Sequence, residues 1–108
     1  DIVEDDIEVK VKSHEKTKEM LESGMTISEI ADVRELSFDT IIGHIEKLVE
    51  LREKVKLDHA LPPKKNVAAI TKAFKEVKTT KLTPVFEYLK GKYSYQDIRL
   101  VRAYLEMK

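Results

Sequence analysis

Apolar residues recur along most of this chain at intervals of three and four, the spacing of one face of an α-helix. The clearest run follows Ser37. Phe38, Ile41, Ile42, Ile45, Leu48 and Val49 fall on one side, and Asp39, Thr40, Gly43, His44, Lys47 and Glu50 on the other, which predicts a helix from Phe38 to about Arg52 with Ser37 as its cap. Just upstream, Thr26-Ile-Ser-Glu29 reads as a capping box that opens a short helix with an apolar face of Ile27, Ile30 and Ala31. Val33-Arg34-Glu35-Leu36 interrupts that pattern. Before it, Ser13 is placed to cap a first helix through Glu22, in which Thr17, Met20 and Leu21 share a face with His14, and Ser23-Gly24 ends it. Residues 1–12 open with Asp1, Glu4, Asp5, Asp6 and Glu8, and the alternation of Ile7, Val9 and Val11 is too short to make a sheet; an acidic linker or arm is expected there.

In the second half, residues 53–61 are ambiguous, since Val55 and Leu57 alternate with Lys54 and Lys56 as in a strand but have no second strand to pair with. Pro62-Pro63 marks a boundary, and Pro63 suits the first turn of a fourth helix over about 63–78. Advancing about 100° per residue gathers Val67, Ile70, Phe74 and Val77 on one arc and Lys64, Lys65, Lys72, Lys75 and Lys78 on the opposite one. A fifth helix runs from about Leu82 to Leu89, with Pro84 in its first turn and Gly91 breaking it. Ser94-Tyr-Gln-Asp97 then caps a sixth helix to about Glu106, which buries Ile98, Val101 and Leu105 and carries Tyr95, Arg99 and Arg102 close together on another side. The expected fold is all-α with about six helices: a helix-turn-helix three-helix unit over 13–52, then a second small helical unit over 63–108.

Charge changes this picture. The 108 residues hold 20 Lys and Arg against 20 Asp and Glu, a formal net charge of zero. The zero is a sum of unlike halves: residues 1–52 carry seven basic and fourteen acidic side chains, a net of −7, and residues 53–108 carry thirteen and six, a net of +7. Such a division points to a charged partner or an intramolecular field. Composition also excludes classes of protein. No apolar run approaches the ~20 residues of a membrane span, and no signal peptide opens the chain. The absence of cysteine removes disulfides, thiol nucleophiles and cysteine zinc sites, and fits an intracellular protein. No Gly-rich phosphate loop or nucleophile elbow occurs, and His14, His44 and His59 lack metal-ligand spacing. The fragment is therefore expected to have no catalytic residue, no bound metal and no cofactor of its own.

Two helices joined by a very short turn over residues 26–49, with small Ala31 where they cross, form the helix-turn-helix pattern. That motif presents the start of its second helix to the major groove, which offers Ser37, Asp39, Thr40, Gly43, His44 and Lys47, with Thr40, His44 and Lys47 as donors to phosphate or base edges. Yet from Phe38 to Arg52 the helix has Lys47 and Arg52 against Asp39, Glu46 and Glu50, a net of −1. Phosphate contacts dominate affinity, so weak or partner-assisted DNA binding is expected of it. The lysine arc is the better electrostatic candidate, and Tyr93, Tyr95 and Tyr104 are candidates for stacking on bases.

The run from Ser13 to Glu50 resembles the helix-turn-helix domain at the C-terminus of RecQ-type DNA helicases, a module also seen in Werner-type helicases. The likeness lies in Thr17, Leu21 to Gly24, Ile27-Ser28-Glu29-Ile30-Ala31, Arg34, Leu36-Ser37, Thr40-Ile41 and His44-Ile45, and continues through Val67 to Phe74, LTPVFEYL and Ser94 to Val101, covering about 13–103. The resemblance implies a non-catalytic accessory module of an ATP-dependent helicase active in DNA repair and recombination. The motor, a zinc-binding subdomain and a winged helix would lie upstream, so ATP, magnesium and zinc would belong to the parent; the Asp1 start fits an excised piece. Expected partners are DNA and the rest of the helicase chain, with a docked protein as the alternative, no membrane, and a bacterial, nucleoid-associated cytoplasmic location. The candidate nucleic-acid contacts are Arg34, Ser37, Thr40, His44, Lys47, Lys64, Lys65, Lys72, Lys75, Lys78, Arg99 and Arg102.

Overall fold

Six α-helices make up the computed structural model, which describes the backbone from Val3 and the side chains from Ser13 to the C-terminus. They are α1 (Val3–Glu22), α2 (Ile27–Arg34), α3 (Phe38–Glu50), α4 (Lys64–Val77), α5 (Leu82–Tyr88) and α6 (Tyr95–Met107), with a single turn of 3-10 helix at Asp58–Ala60. No strand occurs among the described residues, so the all-α expectation holds. The chain divides into two units, Asp1–Ala60 and Leu61–Lys108. The side chains of the acidic arm expected at residues 1–12 lie outside the described residues. Ser13 is a correction: α1 begins at Val3, so Ser13 sits inside the helix and does not cap it.

The first unit packs α1, α2 and α3 against one another. Its core is the apolar stripe the sequence marks: Leu21, Ile30, Ile41, Ile42, Ile45 and Leu48 are fully buried, with Ile27 and Ala31 nearly so. Local chemistry starts each motif helix. Thr26 and Glu29 form the reciprocal capping box, and the Ser37 hydroxyl accepts the Thr40 N–H at 3.0 Å. Residues 53–61, left ambiguous by the sequence, form no strand: an irregular strap over 53–57 leads into the 3-10 turn at Asp58–Ala60. Val55 and Leu57 are buried, Lys18 pairs with Glu53 at 2.7 Å, and the His59 ring donates from Nε2 to the Met25 carbonyl at 2.9 Å.

The second unit closes α4, α5 and α6 around Ile70, Ala73, Phe74, Val85, Ile98 and Val101. Ser94 accepts the Asp97 N–H as the cap of α6. Two details differ from expectation. Pro63 stands at the N-cap of α4 and not within its first turn, because its ψ of 148° is still extended. Lys78 takes a left-handed φ of 58° as the C-cap of α4, so it leaves the helical arc of the other lysines.

Four helices end in the same way. The N–H of Met25, Leu36, Glu53 and Gly91 each reaches the carbonyl five residues back, on Met20, Ala31, Leu48 and Phe86. This is the Schellman closure, which needs a left-handed residue just before that donor. Glycine fills that place only at Gly24; elsewhere it is Glu35, Arg52 and Lys90. A left-handed L-residue costs roughly 1–2 kcal/mol, partly offset in glycine by its own chain entropy. Glu35→Gly, at the turn of the helix-turn-helix, should therefore raise stability by about 0.5–1 kcal/mol. Urea unfolding checks it, and a loss of stability would contradict the assignment.

Candidate nucleic-acid interface

The helix-turn-helix polar residues separate into two groups. Arg34, in the last turn of α2, points back at α1. Its guanidinium donates to the Thr17 hydroxyl at 2.6 Å, to the Ser13 carbonyl at 3.0 Å and to the Ser13 hydroxyl at 2.9 Å. His44, midway along α3, joins the same cluster, with Nδ1 2.8 Å from Thr17 Oγ1 and Nε2 3.3 Å from Ser13 Oγ. Thr17 has no exposed surface, so its hydroxyl proton needs an internal acceptor. Arg34 supplies only donors, and Nδ1 is the acceptor left. That assigns the neutral tautomer with the proton on Nε2, donating to Ser13. Burial, and after it the nearby Arg34 cation and His14, hold the His44 imidazole below its ordinary range.

The outer side of α3 keeps Ser37, Thr40 and Lys47, all exposed. Ser37 and Thr40 bond to each other at 2.8 Å, and Lys47 pairs with Glu50 at 3.3 Å. The sequence places Arg34 and His44 among the groove contacts; here their polar atoms face the interior of the first unit.

The basic face of the second unit is more open. Lys64, Lys65, Lys72 and Lys75 are exposed along one side of α4, and no carboxylate pairs with any of them among the described residues. Exposed Ala68 lies within the same arc. Arg99 and Arg102 are half-buried; Arg102 donates to the Thr80 carbonyl at 2.9 Å, tying α6 to the turn before α5. Of the tyrosines proposed to stack on bases, Tyr95 is already stacked on Phe86 with centroids 4.2 Å apart, and Tyr104 lies under the Lys108 ammonium at 4.7 Å. The sequence reading missed Tyr88, whose ring is half exposed beside two lysines. No group of three or more His, Asp or Glu suited to a metal occurs among the described residues, and no helix there is long and apolar enough to cross a membrane.

A buried capped helix pair braced by a third helix defines a helix-turn-helix protein. The chain belongs to the helix-turn-helix domain family, whose pattern matches residues 13–102. It is also similar to a protein named ATP-dependent DNA helicase Pif1 from Psychrobacter sp. (strain PRwf-1), 25% identical over 117 residues, covering 83% of this chain. The chain spans 18% of the length of that relative. No solved structure matches it.

Two outcomes follow from the Thr17 cluster. Thr17→Val keeps the shape but strands the Arg34 and His44 groups, and should cost about 1–3 kcal/mol in urea unfolding. The second concerns pH. His44 titrates lower in the folded chain than in the unfolded one, so its contribution is complete above about pH 6.5 and is lost as pH falls through the folded value. Stability should thus fall as pH drops below about 6.5, and His44→Gln should flatten that fall.

Proposed function

We propose that this chain is a non-catalytic, nucleic-acid-binding accessory domain of an ATP-dependent DNA helicase, of the RecQ type its motif series resembles. It helps to position the motor on DNA, in the cytoplasm of a bacterium at the nucleoid. ATP, magnesium and zinc belong to other parts of the parent chain. Membership of a helix-turn-helix family and likeness to a protein named as a DNA helicase support the reading. The observation that carries it is the row of Lys64, Lys65, Lys72 and Lys75, exposed and without carboxylate partners along α4. Four cations on one helix face can track a phosphate backbone and release its counterions. The footprint therefore centres on the second unit, and α3 contributes Ser37, Thr40 and Lys47 at most.

A second reading, docking of a partner protein or of the helicase motor, is favoured by the exposed apolar side chains of the acidic first unit, Val33 at 63% and Leu51 at 48% exposure. Crosslinking of the parent protein with and without this domain tests that reading.

Fluorescence anisotropy with forked, single-stranded and duplex DNA across a salt series tests the main one. Binding at about 50 mM salt should weaken with a log–log slope of ~0.9 per duplex phosphate contact. Replacing Lys64, Lys65, Lys72 and Lys75 by Glu should abolish it, whereas Thr40→Ala with Lys47→Glu should leave most of it. Salt-independent binding, or loss on the α3 variant alone, would contradict the assignment.

A further inference from the structure

The segment joining α5 to α6 reads Tyr88-Leu89-Lys90-Gly91-Lys92-Tyr93, two aromatic residues bracketing two lysines. Lys90 and Gly91 both take left-handed backbone, with φ of 57° and 70°, and the Gly91 N–H returns to the Phe86 carbonyl at 3.1 Å. This sharp reversal brings Tyr88, at the end of α5, and Tyr93, just before α6, to one open depression of about 490 Å³ together with Leu89, Lys90, Lys92 and Ala69 of α4. Leu89 and Tyr93 also pack on the core of this unit, so the floor is held in place. Tyr88 is half exposed, and among the described residues no other ring stacks on it.

Ala69 links this depression to the basic face. On a helix, residues three and four apart are neighbours, so Lys65 and Lys72 flank Ala69 on either side. Lys90 and Lys92 of the turn line the depression, and exposed Lys65 and Lys72 stand about one helical turn before and after Ala69 on α4. Glu76 is the acidic residue on this side of α4, two turns beyond Ala69. Small Ala69 leaves room between the cations where a longer side chain would fill it.

We propose that this depression is a binding site for single-stranded nucleic acid, with an unpaired base stacked on Tyr88 over Tyr93 and Leu89, and the adjoining phosphates held by Lys65, Lys72, Lys90 and Lys92. The inference rests on the nucleic-acid reading above and adds the form of the ligand. A rigid aromatic face set among cations fits a base and its phosphates together. Duplex DNA hides its base faces, and an acidic peptide would engage the lysines while leaving the ring idle.

The test uses the full chain and a labelled oligothymidylate of roughly 15 nucleotides, within the span one such site covers, beside a duplex of the same length. Tyr88→Ala should weaken oligothymidylate binding by about 5- to 100-fold and duplex binding by less than about twofold, with Tyr88→Phe close to the parent protein. The chain has no tryptophan, so quenching of its tyrosine fluorescence by the oligonucleotide reports stacking directly, and Tyr88→Ala should remove part of it. Lys90→Glu with Lys92→Glu should weaken the single strand as well. Circular dichroism establishes that each variant is folded.

Unchanged oligothymidylate binding by Tyr88→Ala, while the α4 lysine variant loses DNA, would overturn this site and leave the proposed function standing. Equal loss on both DNA forms, or equal affinity for polyglutamate, would reduce the site to a charge effect and overturn it too. Absence of binding to every DNA probe would overturn both proposals.

Discussion

One hydroxyl without access to water governs the arrangement of the first unit. Thr17 sits on the inner face of α1, and its oxygen needs partners from the helices packed on it. Arg34 comes from the end of α2 and His44 from the middle of α3. Apolar packing is non-directional and tolerates some sliding of helices, whereas this cluster is met at one register only. The cost of that specificity falls on the surface. Arg34 and His44 of the helix-turn-helix pair turn inward, and the outer side of α3 keeps two hydroxyls, Asp39 and a lysine paired to Glu50. The exposed lysines without carboxylate partners lie on α4.

How much of this the sequence discloses depends on how local each cause is. The helix cores were legible because burial writes itself as a period of three and four, and Ile30, Ile41, Ile45, Ile70 and Ile98 are all fully buried where that period puts them. Helix starts at Thr26, Ser37 and Ser94 were legible because a cap and its partner lie three residues apart. Helix ends were less so. The cue for a left-handed stop is glycine, and Glu35, Arg52, Lys78 and Lys90 occupy such stops under the pull of the packing beyond them.

The sequence offers candidate site residues as a list and not as an arrangement. Arg34 and His44 reach Thr17 across 17 and 27 residues of chain, a distance no spacing rule covers. A threonine in the middle of an apolar helix face was the one available cue. Lys64, Lys65, Lys72 and Lys75 share one helix, so their common face follows from helical geometry. Tyr88 escaped notice because its neighbours are created by a reversal at Lys90 and Gly91, and two of the three tyrosines singled out have ring or cation partners.

Division of charge between the two units carries a colloidal consequence. The boundary at Ala60 leaves the sums at −7 for residues 1–60 and +7 for residues 61–108. A neutral molecule lacks the mutual repulsion that keeps proteins apart near their isoelectric point, here about 7.0. When its charges are also segregated, the acidic part of one copy attracts the basic part of the next. Dilute buffer favours that head-to-tail clustering, and salt near 0.15 M, with a screening length of about 8 Å, dissolves it. Added salt therefore weakens this attraction between unlike units and any attraction of the lysines for a polyanion together.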